Sequence, residues 1–344
     1  MPHTTHGRRQ WPVGATVLAA AAAAGITLAS PGIATAAPAP TPSTATVGAS
    51  TPSRVVDRAI PTTGCGFRPF AAPGSTTAQT MTTGGATRAY VLHIPDGYQP
   101  FRPYQLAITF HGRGKSGTDQ SQVTAINDRD TIAVYPQGLP GAGTKGEAAW
   151  PGAPYSTPAM DNDPLFVSDL ITRLQRTLCV DPNRVMLAGK SDGGGFAALL
   201  ACTMSRRIAA VTVVAGALYG QHGCTPARPV PVLDFHGTGD DVIPYDGDPT
   251  RDLPAIPDWT AQWAAQDGCT TGPRTFFQKD DVTAERWTGC RDRAAVEHYR
   301  IDGGGHFWPG STTSTASQTV SATTLMTAFL HQHPLTGHYR APAL

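Results

Sequence analysis

A chain of 344 residues with 40% hydrophobic content is long enough to bury one large core, so a single folded domain is the expectation. The formal net charge is +1 and Lys and Arg are scattered, which excludes a basic stripe for nucleic acid and an acidic tail for cations and favours a neutral substrate. Charged residues are only 15% while Gly (37) and Pro (31) are abundant, a balance that predicts a loop-rich surface held by means other than ion pairs.

The first segment in chain order reads as an export signal rather than structure. Arg8 and Arg9 form a positive start, Val13 to Leu28 is an Ala-rich apolar run, and Ala34-Thr35-Ala36 offers small residues for cleavage, so residues 1–36 are assigned as a signal peptide. An uncleaved anchor competes because the run approaches bilayer-spanning length, but the small residues that follow and the lack of flanking charge favour cleavage. Arg8-Arg9-Gln10-Trp11 lacks most of the twin-arginine pattern, so the route of export stays open. Residues 37–58 are Ala, Pro, Thr and Ser with no aromatic residue, a composition that cannot bury enough surface to fold and reads as a linker. The folded domain is expected over 59–344, extracellular and monomeric.

Export makes the cysteines legible. Cys65, Cys179, Cys202, Cys224, Cys269 and Cys290 are an even number in an oxidising compartment and predict three disulfides, with Cys269 to Cys290 as a local bridge. Their spacing does not suggest zinc.

Beyond Cys65, short apolar runs alternate with helical periods, the pattern of a mostly parallel sheet with crossover helices on both faces. Predicted strands are Ala89 to Ile94, Gln105 to Phe110, Thr131 to Tyr135, Val185 to Ala188, Ala209 to Val214, Val230 to Phe235 and Val296 to Ile301. Predicted helices are Pro164 to Leu178, with Asp161 and Asp163 as capping candidates, then Gly194 to Met204, Asp258 to Gln266 and Val320 to Leu330.

The chemistry centres on Gly189-Lys190-Ser191-Asp192-Gly193, a G-x-S-x-G pattern between a predicted strand and a predicted helix. In an α/β-hydrolase this turn is tight enough to require small flanking residues, and it lifts the serine hydroxyl above the sheet. A glycine-rich chain can produce the pattern by chance, and its placement is what argues against chance. A serine hydroxyl needs a base, and the chain order of this fold places that base last, after the acid. His306, in Gly303-Gly304-Gly305-His306-Phe307-Trp308-Pro309 after the last predicted strand, fits as base; a solvated loop histidine is the alternative. The acid must accept the imidazole Nδ1 proton. Asp240 in His236-Gly237-Thr238-Gly239-Asp240-Asp241 is the choice, with Asp241 as fallback, Asp234 inside the strand and His236 structural.

Acyl transfer also requires amide donors for the oxyanion. Phe110-His111-Gly112-Arg113-Gly114 supplies one from Arg113, and Asp192 supplies the other; His111 as base would precede the serine in chain order. Trp308 and Trp150 are candidate substrate contacts or packing residues. His331 and His333 read as the end of the last helix rather than a metal pair.

The segments CVDPNRVMLAGKSDGGGFAALLAC, HGTGDDVIPY, IPDWTAQWAAQDGC, GGGHFWPG and HGRGKSG together resemble the secreted feruloyl esterases related to polyhydroxybutyrate depolymerases, particularly the fungal type with GKS(N/D)GGGF. The resemblance spans roughly Cys65 to Gln332. It implies Ser191, Asp240 and His306 as the triad, release of hydroxycinnamic acids from arabinoxylan through an acyl-enzyme, and no metal or organic cofactor. Close relatives cleave polyester or acetylated xylan. Lys190 and Asp192 replace the Leu and Ala frequent in the polyester-cleaving relatives, which favours feruloyl esters. A secreted wall-binding protein that keeps the fold without turnover is the alternative of another class.

Overall fold

The computed structural model describes residues 55–336 apart from 56, 59, 127–129, 221–223 and 313–314. The export signal and nearly all of the linker therefore lie outside the described residues.

Among the described residues, twelve strands and five α-helices follow one another as β1 (Thr76–Thr83), β2 (Ala86–His93), β3 (Tyr104–Phe110), α1 (Gly117–Thr124), β4 (Thr131–Pro136), β5 (Leu139–Pro140), β6 (Ala148–Ala149), α2 (Asp163–Thr177), β7 (Val180–Lys190), α3 (Asp192–Thr203), β8 (Ala210–Val214), β9 (Val232–Gly237), α4 (Ile256–Gln266), β10 (Thr271–Lys279), β11 (Val282–Thr288), β12 (Val296–Ile301) and α5 (Ala322–Gln332). Ten strands form one sheet in the order β1-β2-β4-β3-β7-β8-β9-β12-β11-β10. Pairing is parallel from β4 through β12 and antiparallel at both margins. This is the α/β-hydrolase order with an added hairpin, β10–β11, on the β12 edge.

The central strands are buried on both faces, and their side chains divide by period two. Leu106, Ile108, Phe110, Val185, Leu187, Val211 and Val213 enter one core with residues of α2, α3 and α4. Their neighbours Ala107, Met186, Ala188, Leu233 and Phe235 enter a second core with Met326, Phe329 and Leu330 of α5. Helix α2 forms because Leu165, Leu170, Ile171 and Leu174 recur on one buried face. Its cap differs from the expectation. Asn162 occupies the N-cap without a side-chain bond, and Asp163 is instead the first helical residue. Its carboxylate is committed to Arg88 of β2, and both side chains are buried.

Helix α1 and strands β1, β5, β6, β10 and β11 lacked a sequence signal. Helix α1 has hardly any apolar periodicity and is held by a capping box between Ser116 and Asp119. Strand β1 is mostly Thr and Gln, and β10 carries Pro273, which an edge strand tolerates and a central one does not.

Disulfides join Cys65 to Cys179, Cys202 to Cys224 and Cys269 to Cys290. The first ties the segment before β1 to the start of β7 across 114 residues. A closure of that length limits the unfolded chain most. Replacing both partners by serine is expected to lower stability by up to about 5 kcal/mol in urea unfolding; an unchanged midpoint would show that the tie contributes nothing.

Candidate active site

Strand β7 ends at Lys190 and α3 begins at Asp192, leaving Ser191 to make the whole turn with φ 56° and ψ −125°. A non-glycine residue holds that backbone only if its surroundings fix it. They do. The Ser191 N–H donates to Val214 O of β8 at 3.0 Å, and its carbonyl accepts from Gly194, Gly195 and Ala217. The flanking glycines are obligatory: a Cβ at Gly189 would lie 2.1 Å from Gly193 O, and one at Gly193 would lie 2.4 Å from Phe110 O.

Asp240 sits on the loop after β9 and His306 on the loop after β12, and the parallel pairing of these strands places the loops side by side. Thr238 N–H to Ile301 O and Gly239 N–H to Gly304 O, both 2.9 Å, fasten one loop to the other. Asp240 Oδ1 accepts from the amides of Val242 and Ile243, each at 2.9 Å, while Oδ2 accepts from His306 Nδ1 at 2.8 Å. A carboxylate only accepts, so Nδ1 carries the proton and Nε2 keeps its lone pair. Burial works to raise the Asp240 carboxyl, but the bonds from His236 and His306 outweigh it and hold it well below the usual carboxylate range. For His306, burial is the largest influence and lowers its pKa below the ordinary value, with Lys190 adding to the fall and Asp240 opposing it. The imidazole is thus neutral at neutral pH.

Ser191 and His306 both line a cavity of about 430 Å³, within the size range of small-ligand sites. Gly112, Arg113, Tyr155, Lys190, Tyr219 and Arg251 share it. Asp241 is exposed and lines a different cavity behind the His306 loop, which removes the fallback acid. Asp234 lies within β9 and accepts from His298 Nδ1 at 2.7 Å. His236 Nε2 donates to Ile243 O at 2.8 Å and lies 3.4 Å from Asp240 Oδ2, bracing the acid's loop from behind.

His111 is fully buried. Its Nδ1–H donates to Gly112 O at 2.8 Å and its Nε2 accepts from Gly138 N–H at 3.0 Å, so both nitrogens are used on backbone. Burial pushes its pKa down to about 4. It fixes the loop that carries Arg113 and has no lone pair left for a base. The Arg113 amide finds no acceptor among the described residues, and the Asp192 amide, first in α3, has no helical one.

Both tryptophans are corrected by burial. Trp308 is 1% exposed, belongs to the α5 core and donates its indole N–H to Thr323 Oγ1 at 3.0 Å. Trp150 has no exposed surface, stacks on Phe196 and donates to His111 O at 2.9 Å, while its own amide donates to Asp192 Oδ2 at 2.8 Å. Neither lines the cavity; Tyr155 and Tyr219, which no motif marked, do. Burial raises the Asp192 carboxyl to about 7 against the bonds from Trp150 and Tyr155. That side chain ties the Trp150–Tyr155 loop to the turn. His331 is exposed and His333 packs on Phe329; no group of metal-ligating side chains occurs among the described residues.

The pattern of the family described as "Esterase PHB depolymerase" matches residues 88–244. A protein named "Putative esterase NocK", from Nocardia uniformis subsp. tsuyamanensis, is 31% identical over 279 residues, covering 73% of this chain and 79% of that protein. The chain belongs to this family of serine carboxylic ester hydrolases. Feruloyl esterase B of Piromyces equi is 29% identical over 236 residues, 64% of this chain and 42% of that protein. Feruloyl esterase D of Neurospora crassa is 33% identical over 192 residues, 54% of this chain and 63% of that protein. The chain thus spans less than two thirds of the length of these two feruloyl esterases.

The His111 geometry has a titration consequence. A folded-state pKa below the unfolded value of about 6.5 contributes stability above pH 6.5 that is lost as pH falls toward 4. Nuclear magnetic resonance titration is expected to show His111 protonating near pH 4; a midpoint near 6.5 would contradict the assignment of both ring nitrogens to backbone.

Proposed function

We propose that Ser191, His306 and Asp240 form the catalytic triad of an extracellular esterase that hydrolyses hydroxycinnamate esters of plant cell-wall polysaccharide. The observation that carries the mechanism is the Asp240–His306 bond, 2.8 Å long, on an imidazole that lines the same cavity as Ser191. His306 Nε2 takes the Ser191 proton as Oγ attacks the ester carbonyl, and Asp240 stabilises the imidazolium. The imidazolium then protonates the departing alcohol, leaving an acyl group on Ser191. Water, deprotonated by the same nitrogen, releases the acid and restores the serine. The amides of Arg113 and Asp192 receive the oxyanion in both steps.

The substrate assignment rests on the feruloyl esterase names of the relatives and on the cavity wall. Tyr155 and Tyr219 stand edge to face, 6.4 Å between centroids, and offer rings against which an aromatic acyl group packs. Three disulfides support an oxidising, extracellular destination.

Rates on methyl ferulate, caffeate, sinapate and coumarate, set against hydroxybutyrate oligomers and acetylated xylan, test the substrate. Hydroxycinnamates are expected to lead, and failure to cleave any of them sinks the assignment. Ser191→Ala and His306→Ala are each expected to lower kcat by about 10⁴-fold or more. Asp240→Asn is expected to cost about 10⁴-fold through the wrong imidazole tautomer. Undiminished cleavage by Ser191→Ala would remove the triad.

A further inference from the structure

Tyr245 closes the segment HGTGDDVIPY that carries Asp240, and it has no part in the mechanism above. Its hydroxyl lies 2.8 Å from His298 Nε2, and His298 Nδ1 lies 2.7 Å from Asp234 Oδ2. A carboxylate only accepts, so Nδ1 carries the imidazole proton and Nε2 accepts from the Tyr245 O–H. Asp234 and His298 are buried, and Tyr245 is half-buried with its ring set against those of His236 and His298. Carboxylate, imidazole and hydroxyl thus follow one another in the order proposed for the triad, but this hydroxyl is no second nucleophile. Neither cavity described above has Asp234, His298 or Tyr245 in its wall. Burial, with Asp234 adding to it, pushes the Tyr245 phenol up to about 12, so it remains a donor near neutral pH.

Asp234 and His298 are register partners on β9 and β12, the strands that lead to the Asp240 loop and to the His306 loop. Within the first loop, Asp240 Oδ1 accepts from the amides of Val242 and Ile243, and Ile243 O accepts from His236. The Tyr245 carbonyl accepts from Ile256 N–H of α4 at 2.9 Å. The hydroxyl bond adds a tie from the far end of the acid's loop to the strand that precedes the base. Stability alone does not call for it, because apolar residues in place of a buried charged pair are often neutral or stabilising. Directional bonds add a fixed geometry, which apolar packing supplies less strictly.

We propose that Tyr245, held through His298 by Asp234, is a positioning residue for the triad: its hydroxyl bond sets where Asp240 meets His306. This rests on the triad proposed above. Burial, Lys190 and His236 work against the His306 imidazolium and the bonded Asp240 works for it, so a less well placed Asp240 makes His306 a weaker base.

Tyr245→Phe removes one oxygen atom. For an ester that the wild type cleaves, kcat is expected to fall about tenfold with KM unchanged, and the acid limb of kcat/KM to move to lower pH. The low-field Nδ1–H proton resonance of His306 is expected to shift in the same variant. A folded Tyr245→Phe with wild-type kcat, acid limb and His306 resonance makes the bond a structural brace and overturns the inference. The double change Asp234→Leu, His298→Leu removes the acceptor without leaving a lone buried charge. It is expected to produce the same three changes even where its melting temperature matches that of the wild type; a loss confined to stability overturns the inference. The wild type is expected to show two low-field N–H resonances, from His298 and His306, and a single one overturns the inference whether or not the variants fold. Should the wild type cleave no ester, the esterase proposal fails, and the His306 resonance in Tyr245→Phe still decides the positioning: a shift supports it and an unchanged resonance refutes it.

Discussion

The closeness of Gly193 to the end of β3 governs the arrangement of the site. The position of its missing Cβ is 2.4 Å from Phe110 O and 2.5 Å from His111 O, so any side chain would push α3 off the sheet. With α3 seated there, its Asp192 amide and the Gly112–Arg113 loop converge beside Ser191. The Ser191 backbone, at a positive φ, is held by hydrogen bonds with β8, α3 and Ala217. A serine placed in this way depends on backbone contacts that side-chain chemistry cannot replace.

Around that contact lies a second layer whose members act through others. His111 sets the loop at Arg113, Trp150 braces His111 through its carbonyl, and Asp192 ties Trp150 back to the turn. His236 stands to Asp240 much as Asp240 stands to His306, each holding the next in place. Removing one member of such a chain leaves another buried polar group unsatisfied.

The sequence made the parallel sheet and the two site loops legible because those features depend on local patterns: apolar runs of strand length, glycines at a tight turn, and a histidine after the last strand. Edge structure was less visible. Strand β1 and the β10–β11 hairpin are polar and half exposed, and α1 depends on a cap rather than an apolar face. The tryptophans misled because closeness in sequence to His306 or to a loop does not say on which side of the backbone a side chain falls; Trp308 turns into the α5 core.

The proposed activation of Ser191 by His306 on an Asp240 support is open to labelling with a fluorophosphonate, followed by peptide mapping and rate measurement. One phosphonyl group per chain is expected on Ser191, with a labelling rate that falls sharply in His306→Ala and in Asp240→Asn. A label on another residue, or a Ser191 label whose rate ignores both substitutions, would contradict it.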